Sequence, residues 1–462
     1  MKLKRSYKLW IFIFILFNTF VIHATEPPTT NSKAAIAMEA SSGTILYEKN
    51  INDKVYPASI TKILTAILAI ENLNLEDNIV ASKTALRIPW DSSSAYIKEG
   101  EILTVDELLH CLLIYSGNDA ANVLAEAVSG NIQDFVKLMN DKAKELGCTG
   151  TNFVNAHGYS DDNHYTTALD IAKIFNYCIQ NEHFVKIIST KLYIVPETNK
   201  TNSKRYLYNT NRLLLTKSEN KHGRYYEYAI GGKTGYTDEA GRTLVTLGKK
   251  DDKTIIIAVF KAAMINGTDA RYTDAINLFN YSFDNFNKRT FSNKDNYTFD
   301  YTNYNTNLKS KIIVKDDLQI LLKNDDQIKH ITYSLKLDEE KLNSMTKESF
   351  NSNEDVGDII FTINTVSDSY TAVYNLAVSE LKTLNIIKEP KFTAIIIIIL
   401  VLAIIIIAIV AKLSKQQKKS TKNKSNHHAT LEIKESRKVI RRASNRRRKL
   451  DKWLYIYKKW VP

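Results

Sequence analysis

The sequence predicts a mixed α/β fold: an antiparallel sheet with an inserted helical subdomain, followed by a small β-rich domain and a C-terminal transmembrane helix. Three observations predict it. Short apolar runs around turns stand at both ends of residues 33–286, and stretches with helical three- and four-residue spacing lie between them. Alternating β-branched and aromatic runs come next, over 288–387. Last comes an uncharged stretch of twenty residues, 392–411.

The first segment opens with Ala34-Ala35-Ile36-Ala37-Met38-Glu39-Ala40, a Ser41-Ser42-Gly43 turn, and Thr44-Ile45-Leu46-Tyr47-Glu48. Two short apolar runs around a Ser-Gly turn read as a hairpin. A helix is expected from Ser59, because Ile60, Ile63, Leu64, Ile67 and Leu68 share one face. A second helical run covers 105–115. Near the end of the segment, the apolar runs 242–248 and 254–260 flank the polar residues 249–253, which reads as another hairpin. An amphipathic helix over about 270–283 closes the segment. With strands at both ends and helices between, the sheet must take its edges from distant parts of the chain.

In the second segment, Ser310-Lys311-Ile312-Ile313-Val314 and Asp358-Ile359-Ile360-Phe361-Thr362-Ile363 read as strands. The third, 392–411, spans ~30 Å as a helix, the thickness of a bilayer core. Lys391 and Lys412 flank it. At the other end, Lys2, Lys4, Arg5 and Lys8 precede an apolar stretch that ends at Ala24. This reads as a signal peptide over 1–24, although a residue smaller than Ile22 is preferred at that site. Residues 25–390 are then expected outside the cell membrane and 412–462 inside it.

The chain has 462 residues, a length that suits two to four domains, and a net charge of +13. Residues 412–462 carry 18 Lys and Arg against 3 Asp and Glu, so the rest of the chain sums to −2. Basicity is therefore a property of the tail, and charge gives no ground for reading the body as a nucleic-acid binder. The tail runs Arg441-Arg442 and Arg446-Arg447-Arg448-Lys449 suit anionic membrane lipid, and Trp453, Tyr455, Tyr457 and Trp460 suit its interface. No nucleic-acid partner is expected. The three cysteines match neither a disulfide framework nor a zinc site, and Cys111 and Cys178 are expected in the core.

Three motifs carry chemistry. In Ser59-Ile60-Thr61-Lys62 the serine lies near a helix start and the lysine one turn on, on the same face. That spacing suits a nucleophile and the base that takes its proton, provided the lysine is kept neutral. Alone, the pattern equally describes an N-cap serine with a solvated lysine. Ser116-Gly117-Asn118 offers a hydroxyl and an amide; alone, it also reads as a helix-ending turn. Lys233-Thr234-Gly235 follows Gly231-Gly232 and precedes Tyr236-Thr237; alone, it reads as a strand start.

In this order and spacing, the three motifs match the trio of serine β-lactamases and penicillin-binding proteins. Residues 33–286 resemble the serine-type D-alanyl-D-alanine carboxypeptidases, the low-molecular-weight penicillin-binding protein family. Pro57-Ala58 before Ser59, Asn155-Ala156-His157-Gly158, His164-Tyr165-Thr166-Thr167-Ala168 and Ala240-Gly241 add to the resemblance. The resemblance implies the serine β-lactamase/penicillin-binding-protein-like transpeptidase fold. It implies hydrolysis of the terminal D-Ala from peptidoglycan stem peptides, and β-lactam antibiotics as covalent inhibitors. By the same carry-over, Ser59 is the nucleophile, Lys62 the base, and Ser116 a proton relay with Lys233. Asn118 holds the peptide amide and Thr234 the terminal carboxylate. Gly235 lies between them and Tyr236, whose backbone N–H, with that of Ser59, forms the oxyanion hole. No metal or cofactor is expected, and His157 and His164 are read as structural.

One departure stands out. Some family members carry an arginine in the turn after the late hairpin, where this chain has Ala262-Ala263-Met264-Ile265-Asn266-Gly267-Thr268. Arg242 and Arg271 are near in sequence but not at that position. Two neighbouring activities remain open at this stage. A β-lactamase would need a carboxylate to activate the deacylating water, and 151–170 holds Asp161 and Asp162 but no Glu. A D,D-endopeptidase would use the same site on cross-links.

Overall fold

A computed structural model describes residues 26–216, 218, 224–303, 308–345, 354–383, 402 and 404–412. The expected signal peptide lies outside the described residues, as do the tail beyond Lys412 and most of the expected anchor. Residues 404–412 are helical, with exposed side chains from Ile404 to Val410. No helix among the described residues is long and apolar enough to cross a membrane.

The first unit runs to Thr383. Its centre is a five-stranded antiparallel sheet in the order Ile45–Lys49, Ala34–Glu39, Lys253–Ala262, Gly241–Lys250, Ala229–Thr237. The N-terminal hairpin thus joins the late one through Ile36 opposite Ala258. Both edges come from distant chain segments, the arrangement expected from strands at the two ends of the body.

Side-chain alternation explains why these strands read as unbroken apolar runs. Ala34, Ile36 and Met38 face one core together with Ile256, Ala258 and Phe260. Ala35 and Ala37 face another with Ile255, Ile257 and Val259. A sheet covered on both faces has no polar side. The first core is filled by the helices Lys62–Asn72, Val105–Leu113, Asn118–Ser129, Ile132–Glu145, Ala168–Cys178 and Glu182–Ser189. Cys111 and Cys178 lie there as free, buried thiols. The helix Ala270–Asn285 covers the opposite face.

Strand Phe286–Ser292 follows that helix directly and pairs with Leu318–Lys323. A second five-stranded antiparallel sheet has the order Thr298–Asn303, Leu308–Val314, Ser369–Thr383, Asp355–Thr365, Ile328–Leu337. Its Ile312, Phe361 and Leu376 share a core cluster with Phe279 and Phe286 of the first segment. Val373 N donates to Ser42 O at 2.9 Å. Phe286, 1% exposed, belongs to this shared cluster.

Candidate active site

Ser59 sits in a tight 3-10 turn, Ala58–Thr61, that runs into the helix Lys62–Asn72. Ala58 takes φ of 49°, in the left-handed region that a residue with a Cβ rarely adopts. Gly158 makes room for this turn: a Cβ there would stand 1.8 Å from Ala58 O. One helical turn beyond Ser59, Lys62 points back and is fully buried. Its Nζ donates to Ser59 Oγ at 3.0 Å, to Asn118 Oδ1 at 2.6 Å and to His157 O at 2.7 Å.

Ser116 lies between the helices Val105–Leu113 and Asn118–Ser129. Its φ of 73° is a second strained position, held by Gly117 N donating to Cys111 O and Asn118 N donating to Ser93 O. Lys233 is in the middle of the Ala229–Thr237 edge strand, not at its start. Its Nζ reaches Ser116 Oγ at 3.0 Å and Thr234 O at 2.9 Å. Gly235 allows this strand to pass close to Ser59: a Cβ there would lie 3.0 Å from Ser59 N and 2.4 Å from Thr243 Oγ1. Ser59, Lys62, Ser116, Asn118, Lys233, Thr234 and Gly235 thus converge in one place. Tyr236 lines the same cleft with an exposed ring, its hydroxyl donating to Asp238 Oδ1 at 2.8 Å.

Burial governs ionisation here. Removal from water pushes the Lys62 ammonium well below the ordinary lysine range; nearby Lys233 lowers it further, and Asp119 partly opposes them. Lys233 is lowered to about 7, by burial and then by Arg271. His157 and His164 are pushed down to about 3 and about 4, chiefly by burial, so both are neutral near pH 7. His164 Nε2 meets Thr61 Oγ1 at 2.8 Å, and His157 enters the site through its carbonyl. Among the described residues there is no group of three or more His, Cys, Asp or Glu able to hold a metal ion.

The motifs open into a cleft of about 780 Å³. Its lining includes Thr210, Arg212, Thr234 and Arg271, and also Asp91, Tyr159, Ser160 and Glu239. Arg271 is the residue that chain position undervalued. Ala270 N bonds Ala263 O, which sets the start of the Ala270–Asn285 helix against the end of the Lys253–Ala262 strand. From there Arg271 Nη1 reaches Gly235 O at 3.2 Å, and Asp269 Oδ2 holds its Nε at 2.9 Å. Thr210 was also invisible in the sequence; it accepts from Thr234 Oγ1 at 2.7 Å. No motif marks either residue, since both reach the site through tertiary pairing.

Comparison with known proteins gives the following. A D-alanyl-D-alanine carboxypeptidase family profile matches residues 21–264. The chain is 35% identical over 252 residues to the D-alanyl-D-alanine carboxypeptidase DacF of Bacillus subtilis, across 54% of this chain and 61% of that protein. It is 32% identical over 273 residues to a D-alanyl-D-alanine carboxypeptidase of Streptomyces sp. strain K15, across 56% of this chain and 90% of that one. In fold it resembles penicillin binding protein 5 from Haemophilus influenzae, with TM-score 0.57 and 24% identity, across 77% of this chain and 98% of that one. The 77% of this chain covered there is more than residues 33–286 alone make up.

Proposed function

The chain belongs to the D-alanyl-D-alanine carboxypeptidase family, and we propose that it removes the terminal D-Ala from peptidoglycan stem pentapeptides through an acyl-enzyme on Ser59. The carrying observation is the 3.0 Å contact from the buried Lys62 Nζ to Ser59 Oγ. A serine hydroxyl is a weak nucleophile until a neighbour takes its proton, and a lysine does so only when neutral. Burial favours that state, since it pushes the Lys62 pKa well below the ordinary lysine range.

In this reading, Ser59 Oγ attacks the carbonyl carbon of the penultimate D-Ala and its proton passes to Lys62. The oxyanion is stabilised by the backbone N–H groups of Ser59 and Tyr236; one such donor is worth ~100–1000-fold in rate. The C–N bond then breaks, and the leaving nitrogen takes a proton through Ser116, which Lys233 contacts. Asn118 holds the substrate amide. Thr234 binds the terminal carboxylate, and Arg271 supplies the guanidinium beside it. Water hydrolyses the ester and frees Ser59. A β-lactam enters by the same attack and stays as the acyl-enzyme. Incubating the full chain with penicillin and mapping the modified peptide tests this. Acylation confined to Ser59 is expected; acylation elsewhere, or none, contradicts it.

For location, the reading is a cleaved signal peptide over 1–24, a single-pass anchor at 392–411 and a basic tail on the cytoplasmic side against anionic lipid. The catalytic segment is then outside the cell, and the β-rich sheet separates it from the membrane. Support comes from the uncharged run and the tail's charge. Protease accessibility of residues 33–286 on intact cells tests it; protection there contradicts it.

A further inference from the structure

Asp119 follows the Ser116-Gly117-Asn118 motif and is only 2% exposed. Its carboxylate accepts four hydrogen bonds. Oδ1 takes Ala95 N and Ala120 N, each at 2.9 Å, and Oδ2 takes Ser94 Oγ at 2.7 Å and Ile97 N at 3.1 Å. Three of these donors belong to one loop, whose residues Asp91, Ser92 and Ser93 line the cleft. The loop is in turn joined to the motif, since Asn118 N donates to Ser93 O at 2.8 Å. Fit around the carboxylate is tight: a Cβ on Gly117 would lie 2.6 Å from Asp119 Oδ1.

These four donors satisfy hydrogen bonding but bring no full positive charge, and burying a carboxylate is costly. In the active site, the charged group it acts on is Lys62, against burial and against Lys233. His157 and His164, on the segment packed against Lys62, are neutral near pH 7 and do not replace it.

We propose that Asp119 is a positioning residue of the acylation step, which fixes the cleft loop to Ser116 and Asn118 and supplies a buried negative charge that acts on Lys62. This rests on the Ser59 acyl-enzyme reading. Asn118 Oδ1 accepts from Lys62 at 2.6 Å, so a shift of the motif moves the base as well.

The test follows the rate of penicillin acylation against pH for the full chain and for Asp119→Asn, Asp119→Glu and Ser94→Ala. Rates are normalised to the fraction that penicillin titrates, so loss of folded protein does not count. Asp119→Asn is expected to acylate about 10–100-fold more slowly, the scale of a misplaced catalytic group. Its acidic limb moves to lower pH, because without the carboxylate Lys62 gives up its proton more readily. Asp119→Glu and Ser94→Ala keep the charge, so they slow the reaction with the limb unmoved. An Asp119→Asn rate within about twofold of wild type overturns the proposal, as does an unmoved limb in Asp119→Asn or a moved one in Asp119→Glu. Absence of labelling in the wild type, or labelling that survives Ser59→Ala, instead fails the acyl-enzyme reading itself.

Discussion

Lys233 Nζ lies 3.0 Å from Ser116 Oγ, and this bond joins the edge of the central sheet to the helical subdomain. Residues 117 positions apart in the chain meet there, with Lys62 and Ser59 beside them. The cleft is the seam between the two parts of the fold, and its chemistry depends on their registration.

Lys62 is expected to be irreplaceable by another cation. Lys62→Ala should slow penicillin acylation by about 100–10,000-fold, the usual contribution of a positioned base. Lys62→Arg should do no better, because a guanidinium does not deprotonate near neutral pH. Stopped-flow acylation measures both; an active arginine variant contradicts the assignment.

Gly235→Ala places a methyl group against Ser59 N and Thr243 Oγ1. The strand must move away from Ser59, so acylation should fall about 100-fold. Comparing acylation rate with thermal midpoint separates this from unfolding. An unchanged rate would show that the strand yields without disturbing Ser59.

Arg271→Gln should weaken discrimination at the substrate's C-terminus. Wild type is expected to prefer a free carboxylate to the corresponding amide, and the variant should lose about tenfold or more of that preference. The ratio of kcat/KM for the two peptides reports it; an unchanged ratio removes Arg271 from substrate recognition.

The sequence patterns located the sheet ends, the helices from Ser59, over 105–115 and over about 270–283, and the seven residues from Ser59 to Gly235 that converge, because each lies in a contiguous motif or a clear apolar period. They set Arg271 aside as lying outside the expected turn, and were silent on Thr210 and Asp119. Those residues act through partners far along the chain: Gly235 for Arg271, Thr234 for Thr210, and the 94–97 loop for Asp119. The shared core at Phe286 was hidden for a similar reason. A strand such as Thr254-Ile255-Ile256-Ile257 reads as apolar throughout, and only the fold shows that its two faces serve two different cores.

Lys233 also links stability to pH. Folding lowers its pKa to about 7, whereas an unfolded lysine stays protonated to about 10.4. Between those values the unfolded chain holds more protons, so this residue makes stability rise with pH in that window. In Lys233→Met the contribution is gone. The change in Tm from pH 7 to pH 9 should therefore be less positive than in wild type; an identical pH dependence contradicts the lowered pKa.

The most direct test of the account is release of free D-Ala from a diacyl-Lys-D-Ala-D-Ala peptide by the purified full chain and by Ser59→Ala. The account predicts steady release by the wild type and none by the variant. Release by both would remove Ser59 as nucleophile. Release by neither, with penicillin still attached to Ser59, would leave an acylation site without carboxypeptidase turnover and contradict the proposed activity.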